Sequence, residues 1–119
     1  EVSVIIVNYN VGSLLTEVVT AALAETAVAE VLVSDNGSSD DSIAALRAQC
    51  GADARLTVIE NHANLGFSRG NNVALRQASG DYLLFLNPDC VLQPGTLDGM
   101  LAFMRQTPKA GMSGCRIDN

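Results

Sequence analysis

Asp81-Tyr82-Leu83-Leu84-Phe85-Leu86-Asn87-Pro88-Asp89 is an apolar run that stops at an Asn-Pro-Asp corner. Tyr82 to Leu86 has the make-up of a strand buried on both faces, as strands of parallel sheets are. The corner sets a carboxylate, Asp89, at the carboxyl end of that strand. In open α/β sheets ligands bind outside this edge. A carboxylate there is suited to holding a divalent cation against a phosphate.

Upstream the same grammar repeats. Val2-Ser3-Val4-Ile5-Ile6-Val7 is a second buried strand pattern, and Val31-Leu32-Val33-Ser34 and Leu56-Thr57-Val58-Ile59 are two more. Between them lie helical spacings. Leu14, Leu15, Val18, Val19, Ala22 and Leu23 follow Ser13, which is suited to cap a helix. Ile43, Ala44 and Leu46 follow the capping and acidic run Ser38-Ser39-Asp40-Asp41, with Gly51 placed to end the helix. Phe67 to Ala78 is expected to form a third helix. Pro94 is expected to open a fourth, carrying Leu97, Met100, Leu101 and Met104 at i, i+3, i+4, i+7. A fifth strand is expected from Ala110 to Cys115. Four strand–helix alternations at short intervals mean βαβ units with right-handed crossovers. The fold class is therefore α/β, a mostly parallel sheet flanked by helices, in one domain covering residues 1–119.

The 119 residues suffice for one domain with a core, and 48% hydrophobic against 17% charged residues excludes a disordered chain. A formal net charge of −6 argues against nucleic acid and anionic membrane surfaces as partners. A nucleotide is still open, because backbone N–H groups and a metal ion hold phosphates without excess Lys or Arg. Cys50, Cys90 and Cys115 are widely spaced and form no CxxC, which disfavours zinc and disulfide frameworks and points to a reducing, cytoplasmic compartment. No run has the length of a membrane span, and the opening residues have no signal-peptide pattern. The chain opens directly on a strand and stops on Arg116-Ile117-Asp118-Asn119, so it is expected to be a truncated piece of a longer protein. Apolar surface and strand edges uncovered by truncation are expected to favour a homodimer.

Polar residues gather where the strands end. Asn8-Tyr9-Asn10, Asp35-Asn36-Gly37-Ser38-Ser39-Asp40, Glu60-Asn61 with Asn64-Leu65-Gly66-Phe67, and Asn87-Pro88-Asp89 each follow a strand. Parallel strands share one carboxyl edge, so all four clusters belong together in space. Such an edge suits a ligand with hydroxyls, amides and phosphates. Each cluster also has a plainer explanation. Asp35-Asn36-Gly37 is ordinary turn chemistry, Asp40 and Asp41 are suitable helix-start charges, and Arg69 is a candidate for a surface ion pair. There is no Gly-x-Gly-x-x-Gly, no Walker sequence and no Gly-x-Ser-x-Gly, which disfavours dinucleotide folds, P-loop enzymes and α/β-hydrolases.

In this order the clusters closely resemble the family-2 inverting glycosyltransferases of the Rossmann-like GT-A fold. Val4-Ile5-Ile6-Val7-Asn8-Tyr9-Asn10 resembles that family's first strand, and Val33-Ser34-Asp35-Asn36-Gly37-Ser38-Ser39-Asp40 its second. Asn64-Leu65-Gly66-Phe67-Ser68-Arg69-Gly70-Asn71-Asn72 is similar to its Asn-x-Gly-Phe-x-x-Gly-x-Asn segment, and Leu86-Asn87-Pro88-Asp89 stands where its metal motif falls. The resemblance implies a nucleotide pocket of Asn8, Tyr9, Asn10, Asp35, Asn36, Gly66, Arg69 and Asn71, with Asp35 on the base or ribose. It also implies Asp89 and Asn87 as ligands to Mg²⁺ or Mn²⁺. The implied donor is a nucleoside-diphosphate sugar, UDP- or dTDP-linked, and the implied acceptor is a saccharide or lipid-linked hydroxyl. The full-length protein would then work in the cytoplasm or at the inner face of the membrane.

Two departures qualify the match. Asn87 replaces the first carboxylate of the usual Asp-x-Asp, a form similar to bacterial rhamnosyltransferase-like and galactofuranosyltransferase-like members, which implies cell-envelope polysaccharide or glycan synthesis. The family's general base lies beyond the matched region, so no catalytic residue is assigned and the piece alone is expected to be inactive. The missing first Asp leaves a competing reading, a non-catalytic nucleotide-binding module acting through protein contacts. A nucleotidyltransferase ranks last, for want of a basic Gly-rich loop after the first strand.

Overall fold

The computed structural model describes residues 2–88 together with Gly95 and Leu97. Seven elements alternate along them: β1 (Val2–Asn8), α1 (Leu14–Leu23), β2 (Val28–Asp35), α2 (Ser42–Cys50), β3 (Leu56–Glu60), α3 (Phe67–Leu75) and β4 (Tyr82–Phe85). The four strands pair parallel in the order β3-β2-β1-β4.

Successive side chains of a strand point to opposite faces, and the two cores divide accordingly. Val2, Val4 and Ile6 of β1 and Val31 and Val33 of β2 pack with Leu15, Val18 and Val19 of α1 and Ile43 and Leu46 of α2. Ile5 and Leu32 point the other way and meet Ala74 of α3. Burying one Val, Leu or Ile contributes about 1.5–3 kcal/mol, so the larger α1/α2 layer carries most of the apolar stabilisation.

Strand order determines where a ligand fits. The chain moves outward from β1 through β2 to β3, then returns across the opposite face through α3 to lay β4 on the far side of β1. The order reverses between β1 and β4, and that reversal is the topological switch point where open α/β sheets hold ligands.

Several local expectations need correction. β2 starts earlier than the apolar run, at Val28, because Val28 and Glu30 pair with Val2 and Ser3 of β1, with Ala29 the extra residue at a shift of register. Ser13 precedes α1 with φ −68° and ψ −16° and makes no side-chain cap. Gly51 closes α2 in a right-handed conformation, φ −63°, not a left-handed one. α3 ends at Leu75, because Gln77 N and Ala78 N bond back three residues, to Ala74 O and Leu75 O, and tighten the chain out of the helix. β4 is not buried on both faces: Leu83 is 42% exposed, and among the described residues β4 pairs only with β1. Regular strand pairing ends at Phe85, although Leu86 N still donates to Ile5 O. Cys50 is a buried free thiol beside Thr20. Asp89, Cys90, Cys115, the expected fifth strand and all of the expected fourth helix except Leu97 lie outside the described residues; Leu97 itself is buried in the larger core.

Candidate functional site

A cleft of about 440 Å³ opens at the carboxyl edge of the sheet, at the switch point. Val7, Tyr9, Val11 and Leu14 form one side, Asn36, Asn64 and Phe67 another, and Asn87 and Pro88 come from beyond β4. Among the described residues every polar side chain in this lining is neutral: three amides and a phenol. Tyr9 and Phe67 are large and unusually open for aromatic rings, 48% and 60% exposed.

Asn36 is the best-fixed group in the wall. It is 2% exposed. Its Nδ2 donates to Gly66 O (3.1 Å) and its Oδ1 accepts from Asn61 Nδ2 (2.9 Å). Its backbone N–H donates to Asn8 O. Asn61 also donates to Ser34 Oγ, so the amide of Asn36 is oriented by two strand ends. Gly66, at φ +84° and ψ 168°, turns the chain into α3, and its N–H donates to Asn64 Oδ1. Gly70 lets α3 come this close: a Cβ there would lie 3.1 Å from Val7 Cγ1 and 3.2 Å from Asn36 Nδ2.

Beside the cleft lies a buried polar network. Asn8, with no exposed surface, directs Nδ2 at Asp35 Oδ1 (2.9 Å), Ser38 Oγ (3.0 Å) and Ser42 Oγ (3.0 Å). Asn8 Oδ1 is buried with no hydrogen-bond partner among the described residues. Asp35, 4% exposed, accepts further from Ser38 N and Ser38 Oγ. Asp40 accepts from Ser42 Oγ, Ser42 N and Gly12 N. The Ser42 hydroxyl bond, aided by the Ser42 and Gly12 amides, outweighs desolvation and holds the Asp40 carboxyl below its ordinary value.

The expected site residues thus separate into groups. Tyr9, Asn36 and Asn87 line the cleft. Asn8 and Asp35 lie in the network, Asn10 ties one loop to another, and Gly66 receives Asn36 on its carbonyl. Arg69 and Asn71 are on α3 and contribute nothing to the lining. Asp89 lies outside the described residues, and among those described no group of three His, Cys, Asp or Glu side chains is placed to hold a metal. Val11, Leu14, Asn64, Phe67 and Pro88 line the cleft without having been singled out for it. Four of them had a signal in the sequence: Val11 continues the alternation of Val7 and Tyr9, Asn64 and Phe67 stand in the Asn-x-Gly-Phe segment, and Pro88 sits inside the corner motif.

Fold, cleft and switch point together describe the kind of edge at which open α/β sheets hold ligands, and the comparisons with known proteins narrow the class. The family model described as glycosyl transferase family 2 matches residues 3–119, and the chain belongs to that family. It is 33% identical over 102 residues to the succinoglycan biosynthesis protein ExoU of Rhizobium meliloti, covering 86% of this chain and 30% of that protein. To the O-antigen biosynthesis protein RfbC of Myxococcus xanthus it is 35% identical over 120 residues, covering 98% of this chain and 9% of that one. Among solved structures, the S. aureus TarS 1–349 complex with UDP-GlcNAc superposes with a TM-score of 0.78 at 28% identity, covering 89% of this chain and 31% of that one. The mannosyltransferase PcManGT of Pyrobaculum calidifontis, in complex with GDP-Man and Mn²⁺, superposes with a TM-score of 0.79 at 26% identity, covering 87% of this chain and 32% of that one. The sheet is therefore that of the GT-A glycosyltransferases. The chain spans about a third or less of the length of these proteins.

Proposed function

We propose that the protein transfers a sugar from a nucleoside-diphosphate donor, UDP- or dTDP-linked, to an acceptor hydroxyl with inversion, in cell-envelope polysaccharide or glycan synthesis of the rhamnosyltransferase-like kind. The observation that carries this reading is the cleft at the β1/β4 switch point, walled by neutral amides and open aromatic rings and ending at Asn87-Pro88. The rings of Tyr9 and Phe67 offer faces to a base, and the fixed amide of Asn36 offers hydrogen bonds to base or sugar edges. Asp35 has capacity left for a ribose hydroxyl. A carboxylate accepts about four hydrogen bonds, and three are taken, by Asn8 Nδ2, Ser38 Oγ and Ser38 N.

The donor set also fits a divalent cation. Asn87 brings an exposed amide oxygen into the cleft wall, a hard ligand, and Asp89 follows two residues later. Mg²⁺ is commonly held by one or two protein oxygens plus substrate phosphates, and Asn87 with Asp89 would be that pair. Bound there, Mg²⁺ or Mn²⁺ supplies Lewis-acid stabilisation of the charge that develops on the leaving diphosphate. Residues 2–88 orient the donor and shield one side of it; no catalytic base is assigned among them. A saccharide or lipid-linked acceptor would approach from the open side, the latter placing the protein at the inner face of a membrane. Among the described residues no helix is long and apolar enough to cross one.

A thermal-shift titration with UDP, dTDP, GDP and CDP, each with and without Mn²⁺, tests the reading on the wild type and on Asp89→Ala. A ligand at a hundredfold excess over its Kd stabilises the folded state by about 2.7 kcal/mol. The expected result is a shift with one nucleotide that needs both Mn²⁺ and Asp89. A shift independent of both would favour a nucleotide-binding module without transferase chemistry, and no shift with any nucleotide would remove the donor site.

A further inference from the structure

The two-residue alternation of β1 continues past its last residue. Val7, Tyr9 and Val11 line the cleft. The residues between and after them, Asn8, Asn10 and Gly12, all bond to the β2–α2 loop. Asn8 Nδ2 reaches Asp35, Ser38 and Ser42. Asn10 N donates to Ser38 Oγ, and Asn10 Oδ1 accepts from Ser39 N and Asp40 N. Gly12 N donates to Asp40 Oδ2 at 3.0 Å. Asn10 and Gly12 sit at φ +53° and +64°, the left-handed region that most residues avoid. Asn and Gly are the residues that enter it at least cost, so the cleft wall is a left-handed turn held in shape from its far side.

The proton directions in this ladder are fixed. Ser38 Oγ donates to Asp35 Oδ1 at 2.6 Å, and Ser42 Oγ donates to Asp40 Oδ1 at 2.5 Å. Each hydroxyl has one proton and has given it to a carboxylate, so each meets Asn8 Nδ2 as an acceptor. The Asn8 amide therefore links Asp35 to Asp40 through two serines.

We infer that Asp40 is a positioning residue for the donor cleft. It does not line the cleft. It holds Gly12, and through Ser42 it fixes the polarity of the Asn8 network, so it sets where Tyr9 and Val11 stand. Its effect on affinity rests on the donor-binding reading above; its effect on the loop does not.

A carboxylate before α2 has an ordinary use as a helix-start group, and the two oxygens of Asp40 separate that use from this one. Oδ1 serves Ser42 at the start of α2, whereas Oδ2 serves Gly12 in the cleft loop. Asp40→Asn keeps an oxygen for Ser42 but turns an NH₂ toward the Gly12 N–H, donor against donor. The experiment compares wild type and Asp40→Asn by thermal melting, by amide hydrogen exchange at Gly12, and by titration with whichever of UDP, dTDP, GDP or CDP the wild type binds, in the presence of Mn²⁺. Loss of one charge-assisted bond is expected to cut Gly12 protection about tenfold and to weaken nucleotide binding by a similar factor, with the melting temperature little changed. A melting temperature that falls while Gly12 protection holds would mean a helix-start role alone and overturn the inference, as would lost protection with unchanged affinity. If the wild type binds no nucleotide, the donor reading fails and the affinity claim falls with it, while Gly12 exchange still decides the loop claim. Should Asp40→Asn fail to fold, Asp40→Glu, which keeps the charge but displaces the oxygens by one methylene, makes the same comparison.

Discussion

Replacing Gly66 by Ala is expected to lower stability and nucleotide affinity together, and the structure says how. Space is not the obstacle, because a Cβ at position 66 meets no atom within 4 Å. The obstacle is the backbone, whose φ +84° with ψ 168° lies in a region that only glycine adopts freely. Holding a non-glycine residue there costs about 1–3 kcal/mol, which exceeds the roughly 0.4–1 kcal/mol that Ala recovers by restricting the unfolded chain. For a domain of this size each kcal/mol moves Tm by about 4 °C, so a net loss of about 0.5–2.5 kcal/mol gives an expected drop of about 2–10 °C. Relief of the strain would require Gly66 to rotate. Rotation would move its carbonyl away from Asn36 Nδ2 and its N–H away from Asn64 Oδ1, two contacts that orient the cleft wall. Calorimetry gives the first quantity and nucleotide titration the second. A Gly66→Ala protein with unchanged Tm and unchanged affinity would refute the claim that this conformation sets the wall.

Two further positions test packing at the cleft wall and charge at the opposite edge. Gly70→Ala gains about 1 kcal/mol of helix propensity but forces a Cβ to 3.1 Å from the stiff Val7 side chain and 3.2 Å from the tethered Asn36 Nδ2. Overpacking of this kind costs about 1–3 kcal/mol, so urea denaturation should show no net gain and titration a weaker nucleotide complex; stabilisation by about 1 kcal/mol would mean that the wall yields. At the opposite edge of the sheet, burial works against the charge of Glu30, but hydrogen bonds from Ser3 Oγ, Ser79 N and Ser79 Oγ outweigh it and set its pKa below the ordinary value. A depressed folded-state pKa contributes stability that is present above the unfolded-state value and is lost as pH falls through the folded-state value. Melting curves across the acid range should therefore fall more steeply for wild type than for Glu30→Gln, and parallel curves would contradict the assignment.

How much of this was legible in the sequence depends on which period governs a residue. The strands were legible because a strand buried on both faces is apolar almost throughout, and Val2–Asn8 is. Tyr9, Asn36 and Asn87 were legible as edge residues because parallel strands bring their carboxyl ends together. Asn8 stands in the buried network and not in the cleft lining, a distinction the sequence does not carry: a polar residue ending an apolar strand looks the same whether it faces a ligand or a buried network. Its alternation with Val7 and Tyr9 shows that it faces away from them, but only the fold shows which side is the cleft. On α3 the governing period is 3.6. Gly70 and Ala74 share the buried face, so Arg69, one position off it, points to solvent and is exposed. The early end of α3 had no signal, since bonds to Ala74 O and Leu75 O decide it and not the side chains of Gln77 or Ala78.

One electrostatic consequence joins composition to site. The chain carries 13 acidic against 7 basic residues, and among the described residues the cleft lining holds no charged side chain. Amides and aromatic rings recognise hydroxyls and base edges well, but they leave the charge of a diphosphate uncompensated, and in a partly enclosed site that charge is costly unless it is paired. Arg69 sits on α3 away from the lining, and Arg55 is committed to Asp53 and to the Leu23 carbonyl at the amino edge of the sheet. A divalent cation at the Asn87 end of the cleft, as proposed, would meet this deficit where the described lining does not. The same neutrality gives the metal dependence proposed for donor binding a cause beyond the leaving-group chemistry: with no cationic side chain among the described residues of the wall, a nucleoside diphosphate would arrive best with its own cation.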